Sequence, residues 1–338
     1  MGCAVSDERH IVTPAELGVL GVQAVQRLHN NRERLMPMGL PGMENYFVPL
    51  EPGSLTIVQA QTHNGKSWFM NRWMRRMIKY LQSRNRDEVI VWVDTEVSAD
   101  YLAMNRVSAE SGIGYRDIVS RNGLDMKVLL RAAASIAGVP LYTIATRLGR
   151  DGSEIHLTNI RKGLDMLEKG QVDGTPRKIA AVFIDYLQSL PLDPVVRKER
   201  DIDKQRRLQV SRDVDTCRVI GSQFDCSVIL GVQAKQTPEM TAMWKALHLP
   251  SMYDGQETAN IAQRADRIIS LCVAARNVPL GTNLEYRNQQ ITVVENLMFV
   301  GVLKQRGDGF PAGHVFAYML DNKATDPDLA MANVWDGV

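Results

Sequence analysis

The stretch Ala60-Gln61-Thr62-His63-Asn64-Gly65-Lys66-Ser67 constrains this chain most, because it follows the apolar run Leu55-Thr56-Ile57-Val58 and precedes a long helical pattern. A loop folded between a strand and a helix start points backbone N–H groups into one small space, and the helix dipole adds positive potential there. Such a loop can cradle nucleotide phosphates. Lys66 would neutralise the terminal phosphates, and the Ser67 hydroxyl would take a magnesium ligand position. The stretch departs from the G-x-x-x-x-G-K-[ST] pattern at its first residue, Ala60. The surrounding chain therefore has to decide the reading.

After the loop, Phe69, Trp73, Met77 and Leu81 recur at near four-residue intervals, which predicts a helix with one buried side. Val89-Ile90-Val91-Trp92-Val93 is a continuous apolar run, the form of a parallel strand covered on both faces. It ends in Asp94-Thr95-Glu96-Val97-Ser98. Open α/β sheets place ligands at the carboxyl ends of their strands, so Glu96 is a candidate general base. The same letters also suit a surface turn ahead of a helix capped by Ser98. A third apolar strand, Ile179 to Tyr186, carries Asp185 at its end, where a phosphate-loop enzyme holds its magnesium. A fourth, Cys226 to Gln233, ends in a glutamine able to sense a γ-phosphate or an attacking water. Strand also fits Val139 to Ile144, and helix fits Ser153 to Leu167.

Whole-chain totals exclude several classes. The formal net charge of +2 is close to neutral, so nucleic-acid binding has to come from local basic patches. Four cysteines without a C-x-x-C pair indicate neither a disulfide framework nor a zinc site, and a reducing cytoplasm is the simplest environment. No apolar run is long enough to span a membrane. Met1-Gly2-Cys3-Ala4-Val5-Ser6 fits an acylation pattern, but the pattern is short and needs a eukaryotic modifying enzyme, so an ordinary frayed start is the favoured reading.

Thr13-Pro14-Ala15-Glu16 has the form of a helix start, and Leu17, Leu20, Ala24 and Leu28 make an apolar stripe behind it. That stripe packs either on its own domain or on a neighbouring subunit. Met36-Pro37-Met38-Gly39-Leu40-Pro41-Gly42 reads as a hinge. Beyond Pro194 the chain turns basic, with Arg197, Lys198 and Arg200 in a segment that suits either a solvated surface or phosphate contact with nucleic acid. Residues 235 to about 260, which include Lys235 and Lys245, read as a long loop. Strands are expected again at Arg267 to Ala274, about Gln290 to Leu303 and Gly313 to Met319. Lys304-Gln305-Arg306-Gly307-Asp308-Gly309 forms a charged hairpin tip, and the tail after Asp321 reads as loose.

Taken together, these residues resemble the C-terminal motor domain of DnaB-type replicative helicases, within the RecA-like family, over roughly Gly39 to Leu320. The phosphate loop with Ala in first place, Thr95-Glu96-Val97-Ser98, Ile184-Asp185-Tyr186-Leu187-Gln188, Gln233 and Lys304-x-Arg306 occur in the family's order. The resemblance implies an α/β, RecA-like P-loop ATPase core with a mostly parallel central sheet and a preceding linker helix. It divides the chain into a flexible start (1–12), linker helix and hinge (13–38), ATPase domain (39–322) and C-terminal tail (323–338).

It further implies an ATP hydrolase, a DNA helicase moving 5′ to 3′ on single-stranded DNA as a hexameric ring. ATP and Mg²⁺ are its cofactors, and a loader or other replication protein is a possible partner. Glu96 would activate water, Lys66, Ser67 and Asp185 would hold phosphates and magnesium, and Gln233 would couple nucleotide state to the following loop. Lys304 and Arg306 would reach into the neighbour's site. Arg197, Lys198, Arg200, Lys235 and Lys245 would face DNA. Only one helix precedes the motor, which matches the short, motor-only members of phages and plasmids. Two rivals share the same site: a non-unwinding RecA-like ATPase that regulates, loads or scaffolds, and a filament-forming strand-exchange recombinase.

Overall fold

A computed structural model of the chain describes residues 13–30, 34–38, 40–43, 49–120, 124–145, 155–192, 201–235, 247–255, 260–286, 289–306, 313–321 and 331–335. Two compact units emerge, Met1–Leu35 and Met36–Val338.

The first unit holds α1 (Pro14–Asn30). Its start is the expected capping box: Thr13 N–H donates to the Glu16 carboxylate at 2.8 Å, and Glu16 N–H donates to Thr13 Oγ1 at 3.3 Å. Leu17 and Leu20 of the apolar stripe are exposed, as are Val19, Val22 and Val25. The Ala24 and Leu28 side chains lie outside the described residues.

The second unit is the expected α/β core. Its elements in order are β1 (Leu55–Ala60), α2 (Lys66–Ser83), β2 (Val89–Asp94), α3 (Ala99–Ser111), α4 (Tyr115–Ser120), α5 (Met126–Ala137), β3 (Leu141–Ala145), α6 (Leu157–Glu168), β4 (Ile179–Asp185) and α7 (Ile202–Gln223). There follow β5 (Ser227–Gln233), α8 (Asn260–Arg264), β6 (Arg267–Val273), α9 (Ala274–Asn277), β7 (Asn283–Tyr286), β8 (Gln289–Thr292), β9 (Leu297–Gln305), β10 (His314–Leu320) and β11 (Met331–Trp335).

The nine-stranded sheet has the order β11-β10-β9-β6-β1-β5-β4-β2-β3. From β6 to β3 the strands run parallel, and β9, β10 and β11 add an antiparallel edge. The parallel strands β1, β2 and β4 are buried along their whole length, as continuous apolar runs require. Successive side chains alternate between two cores. Ile57 joins Leu164 of α6 and Val214 of α7 on one face, while Val58 joins the α2 stripe on the other.

The α2 stripe is buried as its spacing predicts, with Phe69, Trp73, Met77 and Leu81 all inaccessible. Trp73 packs edge-on against Phe69 and Phe183, with ring centroids 6.1 and 6.2 Å apart. Trp73→Ala is expected to cost about 3–5 kcal/mol in denaturant unfolding. Trp73→Phe should cost much less, because the indole N–H has no hydrogen-bond partner among the described residues. Equal losses for the two variants would contradict this account.

Three segments differ from expectation. The Pro- and Gly-rich stretch read as a hinge supplies core instead: Met36, Met38 and Leu40, with Met43 just beyond, are buried against α2, and Met36 pairs with Leu50 as an isolated bridge. Local turn formers set its path, and its apolar side chains decide where it packs. The strand expected from Gln290 to Leu303 is two strands, because residues 293–296 turn the chain: Gly281 N–H donates to Val293 O at 2.9 Å, and the Asn296 amide donates to Leu320 O at 2.8 Å. Within the tail read as loose, β11 pairs antiparallel with β10.

Candidate functional site

Strand register gathers the site. Ala60 at the end of β1 stands opposite Gln233 at the end of β5, and Asp94 at the end of β2 stands opposite Asp185 at the end of β4. The carboxyl ends of these parallel strands form one edge, where doubly wound sheets place ligands. The loop from Gln61 to Gly65 rises between β1 and α2 at that edge. Gly65 sits at φ 80° as the residue before α2. A side chain there would be strained, and its Cβ would lie 2.6 Å from Met298 Cε.

Within the loop the side chains divide their labour. Asn64 is buried, and its Oδ1 accepts from Val273 N–H at 3.0 Å, so it braces the loop against β6. Gln61 Nε2 donates to Lys235 O at 3.4 Å. Thr62 Oγ1 accepts from Gln233 Nε2 at 2.5 Å, linking the loop directly to the end of β5. Thr62, His63 and Ser67 are exposed.

Lys66 Nζ pairs with the Asp185 carboxylate and lies 4.4 Å from the centroid of the Tyr186 ring. Gly231 makes room for this pair, since a Cβ at that position would lie 3.1 Å from Lys66 Nζ and 3.2 Å from Asp185 Oδ1. Burial, with Glu96 and Asp185 nearby, holds the Tyr186 phenol above its ordinary pKa.

Glu96 is held by the turn that follows β2. The Asp94 carboxylate accepts from Glu96 N–H at 3.0 Å and from Val97 N–H at 2.9 Å. Burial raises the Asp94 pKa, those two N–H groups oppose the rise, and the Asp185 charge adds to it. Ser98 then caps α3, accepting from Tyr101 N–H at 3.3 Å. The two readings of this stretch are therefore compatible: it is a capped turn, and it also presents an exposed Glu96 at the site.

A cavity of about 370 Å³ is lined by every residue from Ala60 to Trp68, together with Glu96, Tyr186, Gln233 and Arg276. Among the described residues no cluster of three His, Cys, Asp or Glu side chains suits a metal. Magnesium needs no such cage, because it keeps waters and takes one or two protein oxygens beside substrate phosphates. Ser67 and Asp185 fit that limited role.

Lys304 and Arg306 lie elsewhere. The pairing of β9 with β6 sets Gln305 opposite Arg267, the first residue of β6, and Asp266 just before it accepts from Leu55 N–H at 2.8 Å. Both basic residues therefore stand beside the start of β1. The phosphate loop leaves from the other end of that six-residue strand, a separation of roughly 17 Å or more at the usual rise per residue.

Lys304 Nζ donates to Ala262 O at 2.6 Å and Gln263 O at 3.3 Å, carbonyls in the last turn of α8. Burial, with Arg306 beside it, lowers its pKa. Arg306 donates to Asp266 Oδ1 at 3.2 Å and to Gln263 O at 3.0 Å, and its side chain is 50% exposed.

Of the expected nucleic-acid contacts, Lys235 is exposed just beyond β5, whereas Arg197, Lys198, Arg200 and Lys245 lie outside the described residues. Sequence reasoning missed three participants. Arg276 and Gly231 carry no local signal, while Gln188 lay within the quoted Ile184-to-Gln188 run without a role.

The model of the DnaB-like helicase C-terminal domain family matches residues 36–308. Replicative DNA helicase DnaB of two Helicobacter pylori strains is 24% and 23% identical over 238 residues, which is 70% of this chain and 43% of each relative. The chain thus spans less than half the length of these curated relatives. Among solved structures, an isolated ATPase domain superposes with a TM-score of 0.69 at 16% identity, covering 96% of this chain and 100% of that one. A DnaB-like replicative helicase, solved in a study of its interactions with primase, superposes at 0.64 with 17% identity, covering 94% of this chain and 66% of that one. These superpositions place the core among RecA-like ATPase folds. With most of its length inside that family model, the chain belongs to the DnaB-like helicase C-terminal domain family.

Proposed function

We propose that this chain is the motor of an ATP-driven DNA helicase, assembling as a ring, hexameric in the DnaB manner, that moves along single-stranded DNA in the cytoplasm during replication of a phage, plasmid or similar element. The observation that supports this reading is that Arg306 and the phosphate loop stand at opposite ends of the sheet. One end collects the phosphate loop, Lys66, Asp185, Glu96 and Gln233, and the other presents Arg306. An Arg306 that serves hydrolysis from that place would do so in a neighbouring copy, which is the arrangement of a ring or filament.

In this mechanism the backbone N–H groups of the loop and the start of α2 hold the phosphates, and Lys66 leaves Asp185 to meet their charge. Ser67 and Asp185 would hold a magnesium ion, which would supply positive charge to the phosphates. Glu96 takes the proton of the attacking water, and its turn stays fixed by Asp94. Gln233 reports the loop's state to the segment beginning at Lys235, through which the strand is moved, 5′ to 3′ in the DnaB manner. The exposed apolar faces of α1 suit docking on an adjacent subunit. A loader or primase-like protein is a natural partner for such a ring.

The test is strand displacement on forked duplexes bearing a 5′ or a 3′ tail, with ATP turnover followed alongside. Displacement that needs ATP and a 5′ tail is expected, with single-strand affinity falling steeply as salt rises. ATP turnover that ignores DNA, with neither fork opened, would overturn the helicase reading in favour of a scaffold or regulator.

A further inference from the structure

The short turn at Leu187–Ser189, immediately after β4, touches more of the site than its length suggests. The β4–β5 ladder ends at the pair Ile184 and Leu230, while β5 continues to Gln233. Beyond that point, among the described residues, the β4 side of Gln233 has no strand beside it. The Gln188 carboxamide takes the strand's place: its Oε1 accepts from Gln233 N–H at 3.0 Å, and its Nε2 donates to Gln233 O at 3.2 Å. On the other side, β1 pairs with Gln233 in the sheet. Gln233 is thus held between a strand and a side chain, and its own amide reaches Thr62.

The same turn has two further anchors. Ser189 Oγ meets Thr95 Oγ1, and Thr95 N–H donates to Asp185 O at 3.1 Å, so the residue before Glu96 is tied to the turn. From α7, Arg206 donates to Gln188 O and, at 3.3 Å, to Leu190 O. Leu187 and Leu190 are buried and leave the turn little room to move as a body.

We infer that Gln188 is a positioning residue that fixes Gln233 against the phosphate loop, and that Arg206 holds Gln188 in that place from α7. The inference rests on the proposed place of Gln233, which senses the γ-phosphate or the attacking water, bears thereby on ATP turnover, and reports that state to the segment beginning at Lys235. A two-point carboxamide contact sets both the height and the tilt of the Gln233 peptide, and hence the direction of its side chain. A displacement of α7 is passed to that peptide through one side-chain contact to the Gln188 carbonyl.

The test compares Gln188→Ala, Gln188→Glu, Arg206→Gln, Gln233→Ala and the Gln188→Ala/Gln233→Ala double variant in the full chain. ATP turnover, affinity for a fluorescent ATP analogue and thermal melting are measured for each. Gln188→Ala is expected to lower kcat about 10- to 100-fold, the range for lost orienting contacts, with analogue affinity within about twofold of wild type. Gln188→Glu still accepts from Gln233 N–H but cannot donate to its carbonyl, so it should fall between, as should Arg206→Gln. The double variant should be no slower than Gln233→Ala alone, because both changes remove one contribution.

Wild-type turnover by Gln188→Ala beside an impaired Gln233→Ala would overturn the inference and leave the role of Gln233 intact. So would a double variant slowed by the product of the two single effects. Should Gln233→Ala itself turn over normally, the role of Gln233 fails and the inference falls with it. A merely structural role would instead lower melting temperature and analogue affinity together, and if Gln188→Ala does not fold, the intermediate rates of Gln188→Glu and Arg206→Gln decide.

Discussion

ATP turnover by the Lys66→Ala protein is expected to fall on the order of 10³-fold, the scale on which a preorganised charge at a reacting phosphate acts. The expectation comes from where the ammonium stands. It is at the first residue of α2, inside the cavity lined by the whole loop, with Asp185 and the Tyr186 ring as its partners. Among the described residues no other lysine lines that cavity. Arg276, its other cation, stands on α9, not on the loop. The variant carries a second consequence. Lys66 and Asp185 are only 12% and 6% exposed, so truncating the lysine leaves a buried carboxylate unpaired. Breaking a buried pair in this way costs up to about 3–5 kcal/mol. Melting curves therefore accompany the kinetics. Lys66→Ala/Asp185→Asn removes the unpaired charge and should recover melting temperature without recovering turnover. Turnover near wild type in either protein would remove the phosphate-cradle reading.

The loop between β1 and α2 was legible because its letters act locally. A strand run, a glycine suited to φ 80° and a Lys-Ser pair at a helix start specify one another over a dozen residues. The places of Asp185 and Gln233 at strand ends were legible for a related reason: a buried parallel strand announces itself as an unbroken apolar run, and the first polar residue after it marks the edge where such sheets place ligands, whereas Glu96 lies two residues beyond Asp94, the first polar residue after its own run. What stayed hidden depends on register between distant strands. Nothing near Gly231 indicates that a side chain there would crowd a lysine and an aspartate from two other elements. Gln188 has meaning only once β5 is seen to outrun β4. The segment from Met36 to Met43 misled because prolines and glycines report the path of a backbone and say little about where its side chains go. The missed turn at residues 293–296 is the same kind of error, a long apolar pattern broken by contacts to Gly281 and Leu320 that local periodicity cannot register.

Arg306→Ala should bind nucleotide as wild type does and yet hydrolyse it on the order of 10³-fold more slowly in the assembled protein, the lower end of what a trans-acting arginine supplies. Geometry separates Arg306 from Lys304 here. Lys304 has its ammonium on the terminal carbonyls of α8, a stabilising contact in its own right, whereas Arg306 keeps half of its side chain exposed beside Asp266. A guanidinium at the start of β1 is a strand's length from the phosphate loop of its own chain, so direct contact with the reacting phosphate is expected only in a second copy. Mixing decides the matter. Lys66→Ala and Arg306→Ala proteins, each inactive alone, should regain turnover when assembled together, because one class of boundary then joins an intact Lys66 to an intact Arg306. If Arg306 acted only by supporting its own fold through Asp266, the mixture would stay as slow as its parts, and the melting temperature of Arg306→Ala would fall instead. If Arg306→Ala alone turned over normally, the site would be complete within one chain, and the argument for an obligate ring would lose its footing.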